Sequence, residues 1–295
     1  MKTIAVIAKR DKSFGGGLEE LRRRLAEAGH PDPIWLEISK SRQATKKARQ
    51  AIKRGADLIL VWGGDGTVQR CVDAVAGSGV RLGVMPAGTA NLFATNMGIP
   101  KDLEGALAVA LGGHERKIDV GVLNGERFAV MAGVGFDAFM IRGAAGASKE
   151  RLGRVAYIRS GLRAIKKNRV QARVTVDGTT WFNGKASCVL IGNVGTVLGG
   201  LQVFENATPD DGVLEVGVVT AKGMWQWLRV FSRVATHHAD RSPLVETTHG
   251  HEVEIRVKRP TPYELDGGAR PATRRFKIRV EPAAIAVGAP VAPPS

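Results

Sequence analysis

The sequence predicts an α/β chain, with an N-terminal doubly wound, mostly parallel sheet domain and a C-terminal antiparallel β-sandwich-like domain. Three observations lead there. Over the first 120 residues, apolar strand-like runs alternate with helix-period segments, which implies parallel crossovers. After Ile118-Asp119-Val120, short strand candidates dominate, separated by turns such as Asn124-Gly125, Asp177-Gly178 and Asn183-Gly184. The length, 295 residues, suits about two domains of ordinary size. The expected bounds are 1–121 and 122–288, with a Pro-rich tail at 289–295 that frays.

Taken in order, Ile4–Ala8 reads as a buried first strand, too short for a leader peptide. Gly15-Gly16-Gly17 precedes a helix over Leu18–Ala28, where Leu18, Leu21 and Leu25 share one face. Ile34–Ile38 is the second strand and Ala44–Arg54 a basic helix. Leu58–Val61 is the third strand and Val68–Ala76 its helix. Leu82–Met85 is the fourth strand, followed by helical pieces at Asn91–Met97 and Leu103–Leu111. In the second half, strands are expected at Arg127–Val130, Val170–Val176, Ser187–Ile191, Val213–Val219, Glu252–Val257 and Phe276–Val280. Helices are expected near Arg151–Lys167 and Met224–Thr236.

A formal charge of +15 requires a surface positive over large areas, and so an anionic partner: nucleotide phosphates, nucleic acid or an anionic membrane. Cys71 and Cys188 lack ligand-like spacing and read as buried small hydrophobes in a reducing compartment. Nothing approaches the roughly 18 apolar residues of a spanning helix. The expectation is a cytoplasmic protein, or one peripheral at the inner membrane face.

The chemistry concentrates in two loops. Leu58–Val61 runs through Trp62 into Gly63-Gly64-Asp65-Gly66-Thr67, where three glycines flank one carboxylate and precede one hydroxyl. Glycine removes the Cβ that would hold a phosphate away, and a following helix N-terminus offers unpaired N–H groups. The Gly-Lys-Ser/Thr ending of a Walker-type P-loop is missing. Pro86-Ala87-Gly88-Thr89-Ala90-Asn91 repeats the logic one crossover later. The alternative for the first loop is a tight strand-to-helix turn with no ligand, and the second alone is as readily an ordinary capped turn. Two on one sheet edge make a nucleotide cleft the better reading.

With Met85–Asn91, Ile118-Asp119-Val120-Gly121, Gly133-Val134-Gly135-Phe136-Asp137, Leu152–Tyr157, Gly199-Gly200 and Pro209-Asp210-Asp211-Gly212-Val213-Leu214 in the same order, the chain resembles the diacylglycerol-kinase-like lipid kinases. That family includes soluble bacterial diacylglycerol kinases and the sphingosine and ceramide kinases. The resemblance implies an active site in a cleft between the two domains, with ATP and Mg²⁺ as cofactors. It puts the ATP phosphates on Gly63, Gly64, Asp65, Gly66 and Thr67, and the rest of the nucleotide on Gly88, Thr89 and Asn91. Ser39 stands where the family often has a nucleotide-contacting Thr. Asp65 is then the central acidic residue, organising Mg²⁺–ATP or assisting deprotonation. Asp119 supports a magnesium-linked acidic network, and Asp211 binds a structural magnesium with backbone carbonyls near Thr208 and Val213. The alternative for Asp211 is a plain Asp-Gly turn.

Three departures stand out. The second acidic position of the family's Thr-x-Asn-Asp-Phe loop is Leu92. The Asn-Pro that commonly ends its first strand is Lys9-Arg10. The family's Asp-Gly-Glu-Pro, whose Glu is taken as general base, reads Asp266-Gly267-Gly268-Ala269. Gly268 cannot move a proton, so the base role falls to Asp65, Asp266 or Glu264. The implied activity is phosphorylation of a hydroxyl of diacylglycerol or a related lipid. The expected partners are the lipid substrate and an anionic membrane surface, without nucleic acid and with a homodimer left open. A catalytically weakened protein of the same fold that binds nucleotide and membrane stays open, as does NAD kinase chemistry.

Between Ala147 and Lys167, seven basic residues face one acidic, so a helix there could rest on anionic headgroups, though a core-packed helix with a solvated basic face is the blander account. The aromatic run Met224–Phe231 could line a lipid entry or fill a core. His237-His238 and His249-Gly250-His251 lack zinc-site spacing and read as surface histidines.

Overall fold

Four apolar runs pair in parallel in the computed structural model: β1 (Ile4–Lys9), β2 (Ile34–Ile38), β3 (Leu58–Gly63) and β4 (Arg81–Pro86). Residues 2–135, 169–197, 201–205, 207–235 and 242–290 are described. The chain divides into two units, Met1–Ile118 with Ala283–Ser295, and Asp119–Pro282. In the first unit the strand order is β2-β1-β3-β4. The connections are α1 (Gly17–Glu27), a 3₁₀ turn at Ser41–Gln43 leading into α2 (Ala44–Lys53), α3 (Asp65–Val75), α4 (Leu92–Asn96) and α5 (Leu103–Gly112).

β3 and β4 are buried along their whole length, as strands covered on both faces must be. Helix α2 lays Ala44, Ala48 and Ala51 inward, which turns its lysines to solvent. The direction of winding reverses between β1 and β3. Their carboxyl ends therefore flank the topological switch point, where open α/β sheets take ligands.

Two features of this unit differ from the sequence reading. Helix α3 starts at Asp65 rather than Val68, because Gly64 closes its first turn: the N–H groups of Thr67 and Val68 donate to the Gly64 carbonyl at 2.8 and 3.1 Å. Apolar periodicity is silent about so polar a first turn. The last strand is also much longer than Phe276–Val280. It runs over Gly268–Ala289, and Ala286 and Val287 pair in parallel with Arg81 and Leu82 of β4.

The rest of the chain is antiparallel. β5 (His114–Leu123) turns into β6 (Glu126–Phe128), followed by β7 (Met131–Val134), β8 (Val170–Val176), β9 (Thr179–Ala186) and β10 (Cys188–Gly192). The short pair β11 (Thr196–Val197) and β12 (Leu201–Gln202) precedes β13 (Leu214–Val219), helix α6 (Met224–Ala235), β14 (Val245–Gly250), β15 (Glu252–Leu265) and β16 (Gly268–Ala289). β15 serves both layers of the sandwich: Val253–Val257 pair with β8, and Tyr263–Leu265 pair with β7 past an irregularity after Arg256. Phe128, Phe182, Val216, Ile255 and Phe276 meet in its core, and Tyr263 packs edge-on to Phe276 at 5.5 Å.

The strand expected at Arg127–Val130 ends at Phe128 in β6, and Ala129 and Val130 lie between β6 and β7, since Ala129, Val130 and Met131 turn their N–H groups to the Asp266 carboxylate. Cys71 and Cys188 are buried, and burial pushes the Cys188 thiol up to about 12. His249 and His251 are exposed. The basic segment Arg151–Lys167, Phe136-Asp137, Gly199-Gly200, His237-His238 and residues 291–295 lie outside the described residues. Among the described residues, no helix is long and apolar enough to cross a membrane.

Phe276 fills the sandwich centre with no exposure. Phe276→Ala should lower unfolding free energy by about 3–5 kcal/mol, read by urea denaturation. A loss under about 1 kcal/mol would contradict this packing.

Candidate functional site

Loops following β1, β2, β3 and β4 gather at the carboxyl edge of the parallel sheet. After β1, Phe14 packs edge-on to Trp62 at 5.6 Å, and the Lys12 carbonyl accepts from Trp62 Nε1 at 3.0 Å. After β2, Ser41 Oγ lies 3.0 Å from Thr67 Oγ1. The N–H and hydroxyl of Ser39 both turn to Gln43 Oε1, at 2.9 and 3.2 Å, so Ser41 is the residue of this segment that reaches the glycine loop.

The glycines of the two loops do different work. A Cβ on Gly63 would lie 2.7 Å from Thr67 Cβ. A Cβ on Gly88 would lie 2.4 Å from Gly64 Cα and 2.5 Å from Asn91 Oδ1. Those glycines are required by the protein's own packing: the backbones of the two loops touch. Gly66 differs. A Cβ there would meet open space, and its φ lies outside the left-handed region. Nothing in the fold asks for glycine at 66, in the first turn of α3, where the helix N-terminus can receive an anion.

Asn91 locks the second loop. Its Oδ1 accepts from Gly88 N–H at 2.9 Å, and its Nδ2 donates to the carbonyls of Pro86 at 2.8 Å and Gly88 at 3.0 Å. It sits at φ 49°, a left-handed conformation that Asn tolerates. Thr89 is exposed beside it. Asp65 then joins the loops, since Oδ1 accepts from Phe93 N–H at 3.0 Å, in the first turn of α4. Burial raises the Asp65 carboxyl above its ordinary value, opposed by the N–H groups of Phe93 and Leu92. Leu92 itself is buried.

A second constellation lies in the Asp119–Pro282 unit. Asp119 N–H donates to the Pro209 carbonyl at 2.7 Å, and its carboxylate accepts from Gly212 N–H at 2.7 Å. In the same turn, Asp211 Oδ2 accepts from Thr208 Oγ1 at 2.9 Å and Oδ1 from Val213 N–H at 3.1 Å. Asp119, Thr208, Asp211 and Val213 are thus brought together. Asp211 remains exposed, and among the described residues no group of three or more acidic, histidine or cysteine side chains is gathered to hold a metal, so a Mg²⁺ here would draw on backbone carbonyls and water beside this carboxylate.

Asp266 belongs to a third place. With φ 45° and Gly267 at 77°, it forms the tight hairpin turn between β15 and β16. Its oxygens accept from Ala129, Val130 and Met131 N–H, each at 2.9 Å, so its evident work is to hold that segment. Asn193, which the sequence did not single out, links this segment to Asp119: its buried Nδ2 donates to the carbonyls of Asp119 at 2.9 Å and Ala129 at 3.1 Å. Glu264 is fully buried. A Cβ on Gly268 would lie 2.7 Å from Arg270 Nη1, whose guanidinium forks onto Glu126. A second residue missed in the sequence is therefore Arg270, which covers the position where the resemblance expects a Glu.

Residues 11–123 match the diacylglycerol kinase catalytic domain, and residues 129–289 match the YegS C-terminal NAD kinase beta sandwich-like domain. A protein of Pectobacterium atrosepticum named as a YegS-like lipid kinase is 30% identical over 292 residues, covering 96% of this chain and 94% of that one. The diacylglycerol kinase of Bacillus subtilis is 29% identical over 232 residues, covering 76% and 75%. A Synechocystis protein of uncharacterised activity is 27% identical over 264 residues, and the chain spans 60% of its length. In structure, a diacylglycerol kinase from Bacillus anthracis superposes with a TM-score of 0.78 at 22% identity, over 98% of this chain and 97% of that one. Yeast NADH kinase shares the fold at a TM-score of 0.57 and 11% identity, over 98% and 84%.

The two kinds of glycine separate by substitution. Gly88→Ala should cost about 1–3 kcal/mol through overpacking. Gly66→Ala should leave stability unchanged or raise it by up to about 1 kcal/mol, since Ala favours a helix. Chemical denaturation of both variants measures this, and a destabilised Gly66→Ala would refute the assignment.

Proposed function

Because the chain belongs to the diacylglycerol-kinase-like lipid kinase family, we propose that it transfers the γ-phosphoryl group of ATP, with Mg²⁺, to a hydroxyl of diacylglycerol or a related lipid. The observation that carries this reading is Gly66: a glycine that packing does not require, next to a carboxyl raised by burial, at the switch point of a parallel sheet. Bound ATP supplies the phosphoryl group, and Mg²⁺ offsets the charge spread over its oxygens. The N–H groups of the first turn of α3 would hold phosphate oxygens, with Gly66 letting backbone approach them. Gly88, Thr89 and Asn91 would line the nucleotide side. Asp211, with the Thr208 and Val213 carbonyls, would hold the structural magnesium, and Asp119 would fix that turn.

Asp65 is the base in this reading. The lipid oxygen forms a bond to phosphorus as the bond to the leaving ADP oxygen breaks, and the hydroxyl proton passes to the Asp65 carboxylate. A raised carboxyl suits that role, since it accepts a proton more readily than an ordinary aspartate. Asp266 is assigned positioning instead, because it is buried in the hairpin turn with three backbone donors on its carboxylate, whereas Asp65 is only half-buried. Gly268 favours a second reading, the same fold with transfer weakened. The likeness to NADH kinase is one of fold alone and favours no other chemistry.

With γ-labelled ATP, Mg²⁺ and mixed micelles, the wild type should label a lipid, and Asp65→Asn should lower turnover by about 10²–10⁴-fold while nucleotide still binds. The base must be ionised, so the acid limb of the pH–rate profile should lie above the ordinary Asp value. No labelled product across diacylglycerol, ceramide, sphingoid and prenyl-alcohol acceptors would leave the weakened reading standing. Gly268→Glu brings its side chain against Arg270, so turnover should change little. A rise of about 10²-fold or more would place the base at 268 and overturn the role of Asp65.

A further inference from the structure

Helix α6 presents a tryptophan that the phosphotransfer site does not use, and we propose that it docks the protein on an anionic bilayer, with Trp225 at headgroup level and Lys222 and Arg229 on lipid phosphates. The inference rests on the lipid-kinase reading insofar as a diacylglycerol substrate resides in a membrane. Trp225 is 78% exposed and is the one exposed large hydrophobic among the described residues. Two positions on, Trp227 is buried at 4%, as is Val230. At 100° per residue, Trp225 and Arg229 fall on one strip of the helix, while Trp227 and Val230 fall on the opposite side. One aromatic anchors the helix to its own unit and the other faces outward.

The charge along this segment of the chain is of one sign. Residues 222–235 contain Lys222, Arg229 and Arg233 and no acidic residue. The exposed face of β15 and β16 is different, since Arg256 and Arg275 share Glu254 and Arg279 pairs with Glu281. Those three arginines are matched within the fold. Lys222, just before α6, and Arg229 on it flank an amphipathic ring, the combination that settles at a membrane–water interface. A second copy of this chain is a poorer occupant, because the same strip of like charge would face itself on a molecule of net charge +15.

The test uses the full chain and vesicles of phosphatidylglycerol with phosphatidylcholine, or of phosphatidylcholine alone. The wild type should sediment with the anionic vesicles, release as salt rises, and show a blue shift in tryptophan emission that Trp225→Ser abolishes. Removing two charges in Lys222→Gln/Arg229→Gln should weaken partition about 30-fold at low salt. Trp225→Ser should weaken it on the order of tenfold, at high salt as well as low. Both variants should keep the wild-type thermal midpoint and phosphorylate a short-chain, water-dispersed diacylglycerol at the wild-type rate. That soluble assay reports the kinase reading independently: its failure with vesicle binding intact sinks the kinase and leaves the docking surface. Unchanged partition of both variants, or an unmoved Trp225 emission, overturns the docking surface. So does a Trp225→Ser effect confined to dimerisation or to binding of a nucleic acid.

Discussion

The carboxyl edge of the parallel sheet depends on one close approach, that of the Gly64 and Gly88 backbones. A Cβ on Gly88 would lie 2.4 Å from Gly64 Cα and one on Gly64 would press on Gly88 Cα at 3.0 Å, while Asn91 adds three hydrogen bonds that fix the shape of the second loop. Asp65 completes the joint by capping α4 from the first turn of α3. The ends of β3 and β4 are consequently a single rigid corner rather than two independent turns. A corner of this kind points the helix N-terminus in a fixed direction, which is what electrostatic preorganisation at a phosphate requires. Its cost is a half-buried carboxyl, and that cost is what makes Asp65 a better proton acceptor.

The sandwich unit uses a different device. Asp266, Asn193 and Asp119 form a chain of side chains that each bond to backbone, from the β15–β16 hairpin through residues 129–131 to the turn at 208–213. Buried polar groups of this sort specify one arrangement because every alternative leaves a donor or acceptor unmet. The Asp-Gly of the hairpin reads in sequence like a remnant of a catalytic motif. In three dimensions it is the staple of this chain, and the absence of a Glu at 268 leaves that staple intact.

Much of this was legible beforehand. Apolar runs ending in Gly-Gly or in Pro-Ala-Gly gave β3 and β4 and their loops, because a buried strand and a glycine turn are both local properties. Asp119 and the 208–213 turn were named from the ordered motifs, and they do meet. What sequence could not show is which glycine answers to packing and which to a ligand, since Gly64, Gly66 and Gly88 look alike until a Cβ is placed on each. Asn193 and Arg270 were invisible for a related reason. Their partners lie 64 to 144 residues away, and an isolated Asn or Arg carries no period or spacing. The end of β16 was missed because Pro282 and the small residues around it resemble a linker.

That last strand bears on how the protein is made. The first unit's sheet takes its strand beside β4 from residues 283–289, which a ribosome delivers only after the whole sandwich has emerged. Until then β4 is a bare edge, apolar but for Arg81, the kind of surface that pairs with whatever strand is near. A nascent chain stalled past Ile118, or a fragment cut there, holds both glycine loops yet keeps that edge open. The α/β unit of this molecule is thus a product of late synthesis, although most of it precedes the sandwich in the sequence.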